Sequence, residues 1–224
     1  MANIIVISAH PDDEVIGAGG TLLKHVANAD KVYWIIITNM SEENGYSKTD
    51  SERRQKEINE VALKIGFAET FNLNYKPSAL QPADLPGIIS KVSDIFNRVK
   101  PECVYVMNRS DAHSDHRIVF EAVMACTKSF RYPFIKKVLM YECISETEFA
   151  PALPENAFIP NYFVDVTDYL EKKLALMEIY ASDVGEHPFP RSLENMKALA
   201  YYRGAIAGVQ YAEAFQLIKH IDKT

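Results

Sequence analysis

Short, nearly unbroken apolar runs recur along the chain, separated by longer amphipathic stretches. Ile4-Ile5-Val6-Ile7 is the first run; Val32 with Trp34-Ile35-Ile36-Ile37 is the second. Runs this short and this apolar read as strands covered on both faces, as in a parallel sheet sandwiched between helices. The pattern predicts strands over about 3–8, 31–38, 69–73, 103–107, 137–142 and 162–166. Helices over about 19–27, 49–65, 84–99, 117–129, 168–180 and 193–207 alternate with them. In the third helix Ile88, Ile89, Val92, Ile95, Phe96 and Val99 share one face. Thr49-Asp50-Ser51-Glu52 fits a capping box, Gly66 suits a helix end, and Ser192 suits a helix start. Residues 145–160, with Pro151, Pro154 and Pro160, read as a surface loop, and Glu186-His187-Pro188-Phe189-Pro190-Arg191 as a second, stiff one. Alternating strands and helices imply right-handed crossovers and an α/β fold: a three-layer α/β/α sandwich around a mostly parallel, Rossmann-like sheet. Neither repeats nor linkers interrupt it, so residues 1–224 are expected to form a single domain.

Composition narrows the partners. A net charge of −6 and a pI near 5.6 argue against nucleic acid or an anionic membrane surface. No apolar run approaches the ~18 residues of a membrane span. The amino terminus runs straight into a strand with no signal-peptide pattern, so a cytoplasmic protein is expected. Cys103, Cys126 and Cys143 are odd in number and show no Cys-x-x-Cys spacing, which supports neither a disulfide framework nor a zinc ribbon.

The chemistry concentrates after two strands. Ser8-Ala9-His10-Pro11-Asp12-Asp13-Glu14 follows the first apolar run and precedes Gly17-Ala18-Gly19-Gly20, where the first helix is expected to begin. His10 and Asp13, three apart on a turn stiffened by Pro11, can point at one ion; Asp12 between them must point elsewhere. A carboxylate beside a metal but not bound to it is placed to take a proton from water activated by the ion. A second cluster, Asn108-Arg109-Ser110-Asp111-Ala112-His113-Ser114-Asp115-His116, follows Cys103-Val104-Tyr105-Val106-Met107. Strand ends on one edge of an open α/β sheet are where sites form. Hydrolytic zinc sites use three protein ligands and an open position, so His113 or His116 would complete a set with His10 and Asp13.

These residues resemble a known family. Ala9-His10-Pro11-Asp12-Asp13-Glu14 together with His113-x-Asp115-His116 is similar to the PIG-L/LmbE-like zinc N-deacetylases. That group includes de-N-acetylases of glucosaminyl-phosphatidylinositol, mycothiol and bacillithiol synthesis, and of chitobiose. Arg54-x-x-Glu57 with Val61-Ala62 and Ile65-Gly66 resembles a further family helix. Leu199-Ala200-x-x-Arg203-Gly204, Gly208 and Ala212-Glu213-Ala214-Phe215 resemble its closing segment. The resemblance implies a zinc ion, or Fe²⁺, on His10, Asp13 and His116. Asp12 is then the base, Arg54 a substrate contact, and a charged His113, oriented by Asp115, stabilises the oxyanion. Asp115 is also a plausible helix N-cap. It further implies an N-acetylated amino sugar or its conjugate as substrate, and a homo-oligomer, for which Tyr201, Tyr202, Tyr211 and Phe215 offer a surface.

Other residues carry two readings each. Glu14 either caps the glycine-rich helix or supports a ligand; Asp111 either binds a sugar hydroxyl or shapes its turn. His187 either walls the pocket or lies exposed. The glycines do not make a dinucleotide loop, since their spacing is wrong and strand two ends in Asn39 rather than an acid. Rival functions are another metal-assisted hydrolysis, such as phosphoester cleavage, and a non-catalytic nucleotide-binding module. The first would usually want more cations at the site; the second leaves the ligand set unexplained.

Overall fold

In the computed structural model, residues 1–222 are described; Lys223 and Thr224, the last two of the stretch assigned to the single domain, lie outside the described residues. Strands β1 (Asn3–Ser8), β2 (Lys31–Thr38), β3 (Glu69–Tyr75), β4 (Cys103–Met107), β5 (Lys137–Tyr141), β6 (Tyr162–Asp165) and β7 (Ala212–His220) form one sheet in the order β3-β2-β1-β4-β5-β7-β6. The first five are mutually parallel, and β7 is antiparallel to both neighbours. Helices α1 (Asp13–Ala27), α2 (Lys48–Ile65), α3 (Leu85–Val99), α4 (Ser114–Ala125), α5 (Leu170–Met177) and α6 (Leu193–Ala207) connect them. Packing links α3 to α4, and α1 to both α2 and α5, with α5 against α6. This is the three-layer, mostly parallel sandwich expected from the alternation. The strand order reverses between β1 and β4, which makes their carboxyl ends a topological switch point.

The centre of the sheet is its driest part. Ile4 to Ser8 and the whole of β4 are buried, as is β2 from Trp34 to Thr38. Burying one such branched or aromatic side chain contributes about 1.5–3 kcal/mol. The two turns at the switch point thus spring from deeply buried strands.

Several local expectations shift. Helix α1 begins at Asp13, not near residue 19, because the Asp12 carbonyl accepts from the amides of Val15 (3.0 Å) and Ile16 (2.9 Å). The glycines lie inside the helix and serve packing: a Cβ on Gly17 would sit 2.1 Å from the Tyr141 ring. Helix α2 starts at Lys48, capped by Ser47 rather than by the 49–52 box, since the Ser47 hydroxyl accepts from the Asp50 amide. Helix α4 starts at Ser114 with His113 as N-cap, so Asp115 is inside the helix.

Strand β7 is absent from the sequence-based expectations. It inserts between β5 and β6, so β6 is an edge strand and not a neighbour of β5. This places Phe215 inside the sheet between β5 and β6, fully buried, and Tyr211 is half-buried; of the aromatic residues expected at an assembly surface, Tyr201 and Tyr202 are exposed. No helix among the described residues is long and apolar enough to cross a membrane.

Candidate active site

The turn after β1 is built by buried polar bonds. Asp12 has φ 144° and ψ −31°, a region L-residues rarely occupy, at a cost of roughly 1–3 kcal/mol. Glu14 holds it there. Its Oε2 accepts from the Asp12 amide (3.1 Å) and the Ser8 hydroxyl (3.1 Å), while Oε1 lies 2.9 Å from the Tyr180 hydroxyl. Ser8 accepts in turn from Trp34 Nε1. Burial, more than any neighbouring charge, pushes the Glu14 carboxyl up to about 8. Glu14 is therefore a brace for the turn rather than a helix cap. Asp13 closes the turn from the other side, its Oδ2 accepting from the His10 amide at 2.8 Å.

The loop after β4 brings histidines to meet these acids. His116, in the first turn of α4, is buried with Nε2 3.3 Å from Asp13 Oδ1 and Nδ1 2.8 Å from Asp111 Oδ2. Asp111 is fixed through Oδ1, which accepts from Asn108 Nδ2 (2.9 Å) and the Thr147 hydroxyl (2.7 Å). Asp111 thus orients a histidine and shapes its loop, and reaches no open space. His10 presents Nδ1 toward Asp13 Oδ2 (3.9 Å) and Nε2 toward Asp115 Oδ2 (3.1 Å).

Asp115 differs from its expected place. Its carboxylate makes no hydrogen bond to His113; Oδ2 takes His10 and the Ser78 amide (2.7 Å), and Oδ1 takes the Leu80 amide (3.2 Å). Only the Asp115 backbone N–H meets His113, donating to Nδ1 at 3.1 Å. The reason is helix geometry. With His113 as N-cap, the Asp115 side chain projects across the strand ends rather than back along its own turn. An Nδ1 that accepts leaves the proton of a neutral ring on Nε2, which lies 3.4 Å from the Ser78 hydroxyl. Burial, then repulsion by His10 and His116, lowers His113 to about 4, so the charged form expected from Asp115 pairing is not favoured.

Elsewhere the electrostatics follow from crowding in a dry place. Burial pushes Asp12 well above the carboxylate range, helped by Asp13 and Asp183 and opposed by Arg191. Burial would also raise Asp13, but the charge and hydrogen bond of His116, with His10, take it well below that range. Burial would lower His116, yet Asp13 and Asp111 carry it well above the usual histidine value.

His10, Pro11, Asp12, Asp13, Arg54, His113 and His116 all line one cavity of about 270 Å³. Glu146, Asp183 and Arg191 also line it, and no motif pointed to them. Arg191 could have been suspected only from the stiff loop that carries it. Its Nη1 donates to Asp12 Oδ2 at 3.2 Å. Arg54 donates from Nη1 to the Pro11 carbonyl (3.2 Å) and from Nη2 to Asp183 (2.8 Å), and lies over the Tyr180 ring. His187 is exposed and outside the cavity. A larger cavity of about 710 Å³ under the 145–160 loop shares only Cys143 with this one.

Among the described residues two sets of side chains can hold a metal ion: His10, Asp13 and His116, and His10, His113 and Asp115, each with ligand atoms within 4.8 Å of one another. Both are two imidazoles and one carboxylate, a donor set that fits Zn²⁺ or Fe²⁺ with an open position. In the first set both histidines have a carboxylate on the ring nitrogen away from Asp13, the arrangement that fixes the tautomer and aim of metal-binding histidines.

A doubly wound sheet with a buried His/Asp cluster at its switch point defines the class. The sequence profile described as "PIG-L: GlcNAc-PI de-N-acetylase" matches residues 5–127, more than half of the chain, and the protein belongs to this family of deacetylases. An uncharacterized deacetylase of Escherichia coli, YaiS, is 29% identical over 186 residues, 80% of this chain and 90% of that one. Diacetylchitobiose deacetylase of Thermococcus kodakarensis is 25% identical over 234 aligned positions, 97% of this chain and 84% of the other. The crystal structure of N,N'-diacetylchitobiose deacetylase from Pyrococcus horikoshii has a TM-score of 0.75 at 22% identity, covering 97% of this chain and 84% of that one, and shares the fold.

Proposed function

We propose that this protein is a metal-dependent N-deacetylase acting on an N-acetylated amino sugar of the N-acetylglucosamine type, or on its conjugate. The observation that carries the reading is the pairing of both candidate ligand histidines with outer carboxylates, His10 with Asp115 and His116 with Asp111, while their other nitrogens turn to Asp13. The alternative set, His10 with His113 and Asp115, would leave Asp13 and His116 without a role. The family membership and the activity of the chitobiose deacetylases support the substrate class.

His10, Asp13 and His116 would hold a divalent ion, which would supply Lewis-acid activation of water and of the amide carbonyl. The chain supplies the rest. Asp12 takes the proton as water attacks the acetyl carbon, and its position in a buried, acid-rich pocket raises its proton affinity toward the working range of a general base. Arg191 anchors one Asp12 oxygen. His113, through Nε2–H, donates to the oxygen that gains charge. Asp12 then returns its proton to the leaving nitrogen, since an amide anion is too poor a leaving group to depart unprotonated. Arg54 forms a substrate-facing wall, held rigid by Pro11 and Asp183. The free cysteines Cys103, Cys126 and Cys143 suit a reducing, cytoplasmic compartment. Assembly through the exposed Tyr201 and Tyr202 on α6 belongs to the same reading; a monomeric mass in light scattering would remove it.

The test is acetate release from N-acetylglucosamine, N,N'-diacetylchitobiose and glucosaminide conjugates. Release that stops with a chelator and returns with zinc is expected. Release indifferent to chelation, or phosphate release in place of acetate, would contradict the reading.

A further inference from the structure

The acids that line the catalytic cavity are paired, with one exception. Asp12 is bonded to Arg191, Asp183 to Arg54, and Asp13 lies between His10 and His116. Glu146 lines the same cavity and has no ion-pair partner among the described residues; its Oε1 meets the Ser145 hydroxyl at a long 3.4 Å. Its backbone, by contrast, is fixed. The Glu146 amide donates to the Cys143 carbonyl (3.0 Å), and its carbonyl accepts from the Ala112 amide (3.0 Å), which ties the turn after β5 to the loop after β4. A half-buried carboxylate on a fixed backbone, with lone pairs unused, is a preorganised acceptor.

The other flank of the cavity is apolar. In the sheet, β3 and β2 lie on one side of the central pair β1 and β4, and β5 lies on the other. The connections after β2 and β3 bring Met40, Tyr46 and Pro77 to the cavity, while the turn after β5 brings Glu146. Neither Met40 nor Tyr46 belongs to the hydrophobic core, and the half-buried Tyr46 has no hydrogen bond from its hydroxyl among the described residues. The fold makes no use of this ring. At about 270 Å³ the cavity falls just under the range that holds drug-sized ligands, which suits one sugar ring. A pyranose ring is itself two-sided in chemistry: its faces carry C–H groups and its rim carries hydroxyls.

We infer that Tyr46 and Glu146 together orient the substrate, the C–H face of one sugar ring resting on Tyr46 while a ring hydroxyl away from the acetamido group donates to Glu146. The inference rests on the functional reading above, which makes the ligand an N-acetylated amino sugar. Contacts on opposite flanks hold the ring across the strand ends, so that its acetamido group meets His10, Asp13 and His116 between them. The aromatic face covers apolar surface, and the single acceptor fixes which way round the ring lies. A hydroxyl on a carboxylate makes a charge-assisted bond, stronger than one to a neutral acceptor.

The experiment measures KM and kcat for acetate release from N-acetylglucosamine and its 3-, 4- and 6-deoxy analogues, with zinc supplied. The variants are Glu146→Gln, Tyr46→Phe and Tyr46→Ala. Glu146→Gln keeps size and backbone bonds, and is expected to raise KM for N-acetylglucosamine roughly 10–100-fold, the worth of a hydrogen bond to a charged group. For one of the deoxy sugars, wild type and Glu146→Gln should have the same KM, because the partner hydroxyl is already gone. Tyr46→Ala should raise KM, and Tyr46→Phe should restore it. An unchanged KM in Glu146→Gln, an equal penalty on all four sugars, or a Tyr46→Phe as poor as Tyr46→Ala would overturn the orienting pair and leave the deacetylase standing. Calorimetry with N-acetylglucosamine separates the two readings: binding that Glu146→Gln weakens, without acetate release, would overturn the deacetylase and keep the sugar contacts. Neither binding nor release would overturn both.

Discussion

Two turns meet at the switch point, and they are built differently. The turn after β1 is held by side chains bonded to its own backbone: Asp12 is in a strained conformation, the Asp13 carboxylate accepts from the His10 amide, and the buried Glu14 carboxyl accepts from the Asp12 amide. The loop after β4 is held by side chains on side chains: Asn108 and Thr147 on Asp111, and Asp111 on His116. In the proposed mechanism the first turn supplies the acid that would move protons and the acid that would bind the ion. The second supplies imidazoles and the outer carboxylates that aim them, one of which, Asp115, reaches across to aim the His10 of the other turn. The difference teaches that adjacent acids need not share a role. Asp12 and Asp13 are neighbours in sequence, yet one sits with an arginine over the cavity and the other between two histidines.

Breaking the shared centre has the largest effect. His116→Ala removes a ligand and leaves Asp13 and Asp111 facing each other without a cation, so both bound metal and turnover should be lost. Metal retained at wild-type level would move the third ligand elsewhere.

Asp12→Asn comes next. It keeps size and cannot accept a proton, so kcat should fall by roughly 10²–10⁴. A loss under about tenfold would remove Asp12 as the base.

The outer carboxylates separate the two turns more finely. Asp111→Asn and Asp115→Asn each leave the three ligands in place but loosen one histidine, at about 10–100-fold in metal affinity or activity. The comparison breaks if Asp115→Asn changes neither, since His10 would then need no partner from the β4 loop.

The smallest change is confined to the brace. Glu14→Ala leaves the Asp12 amide and the Ser8 hydroxyl without their acceptor, a cost of roughly 1–3 kcal/mol that chemical denaturation can read. An unchanged denaturation midpoint would mean the strained turn needs no such support.

The parallel half of the sheet and both polar turns were legible because fully buried strands carry near-continuous apolar runs and the turns break them with metal-competent residues. Strand β7 was not. It opens with Ala212-Glu213-Ala214, which favours helix in isolation, and it becomes a strand through a tertiary partner. Glu213 is buried on Lys173 (2.7 Å) and on the amides of Gly20 and Thr21 within α1. The start of α1 was hidden in the same way, since the glycines that look like a helix entrance are there to let Tyr141 and Val166 approach. At the site the residue types were readable but their pairing was not. Asp115 lies two positions from His113, yet its carboxylate finds His10 at the end of another strand, and only the helix N-cap at His113 decides which way it points.

The central claim is that His10, Asp13 and His116 bind one ion while Asp12 moves protons. It is tested most directly by counting the metal in purified Asp12→Asn beside Asp13→Asn. The account predicts about one ion per chain in Asp12→Asn and a marked deficit in Asp13→Asn, partly restored by added zinc. A metal-free Asp12→Asn beside a fully loaded Asp13→Asn would exchange the two roles and contradict it.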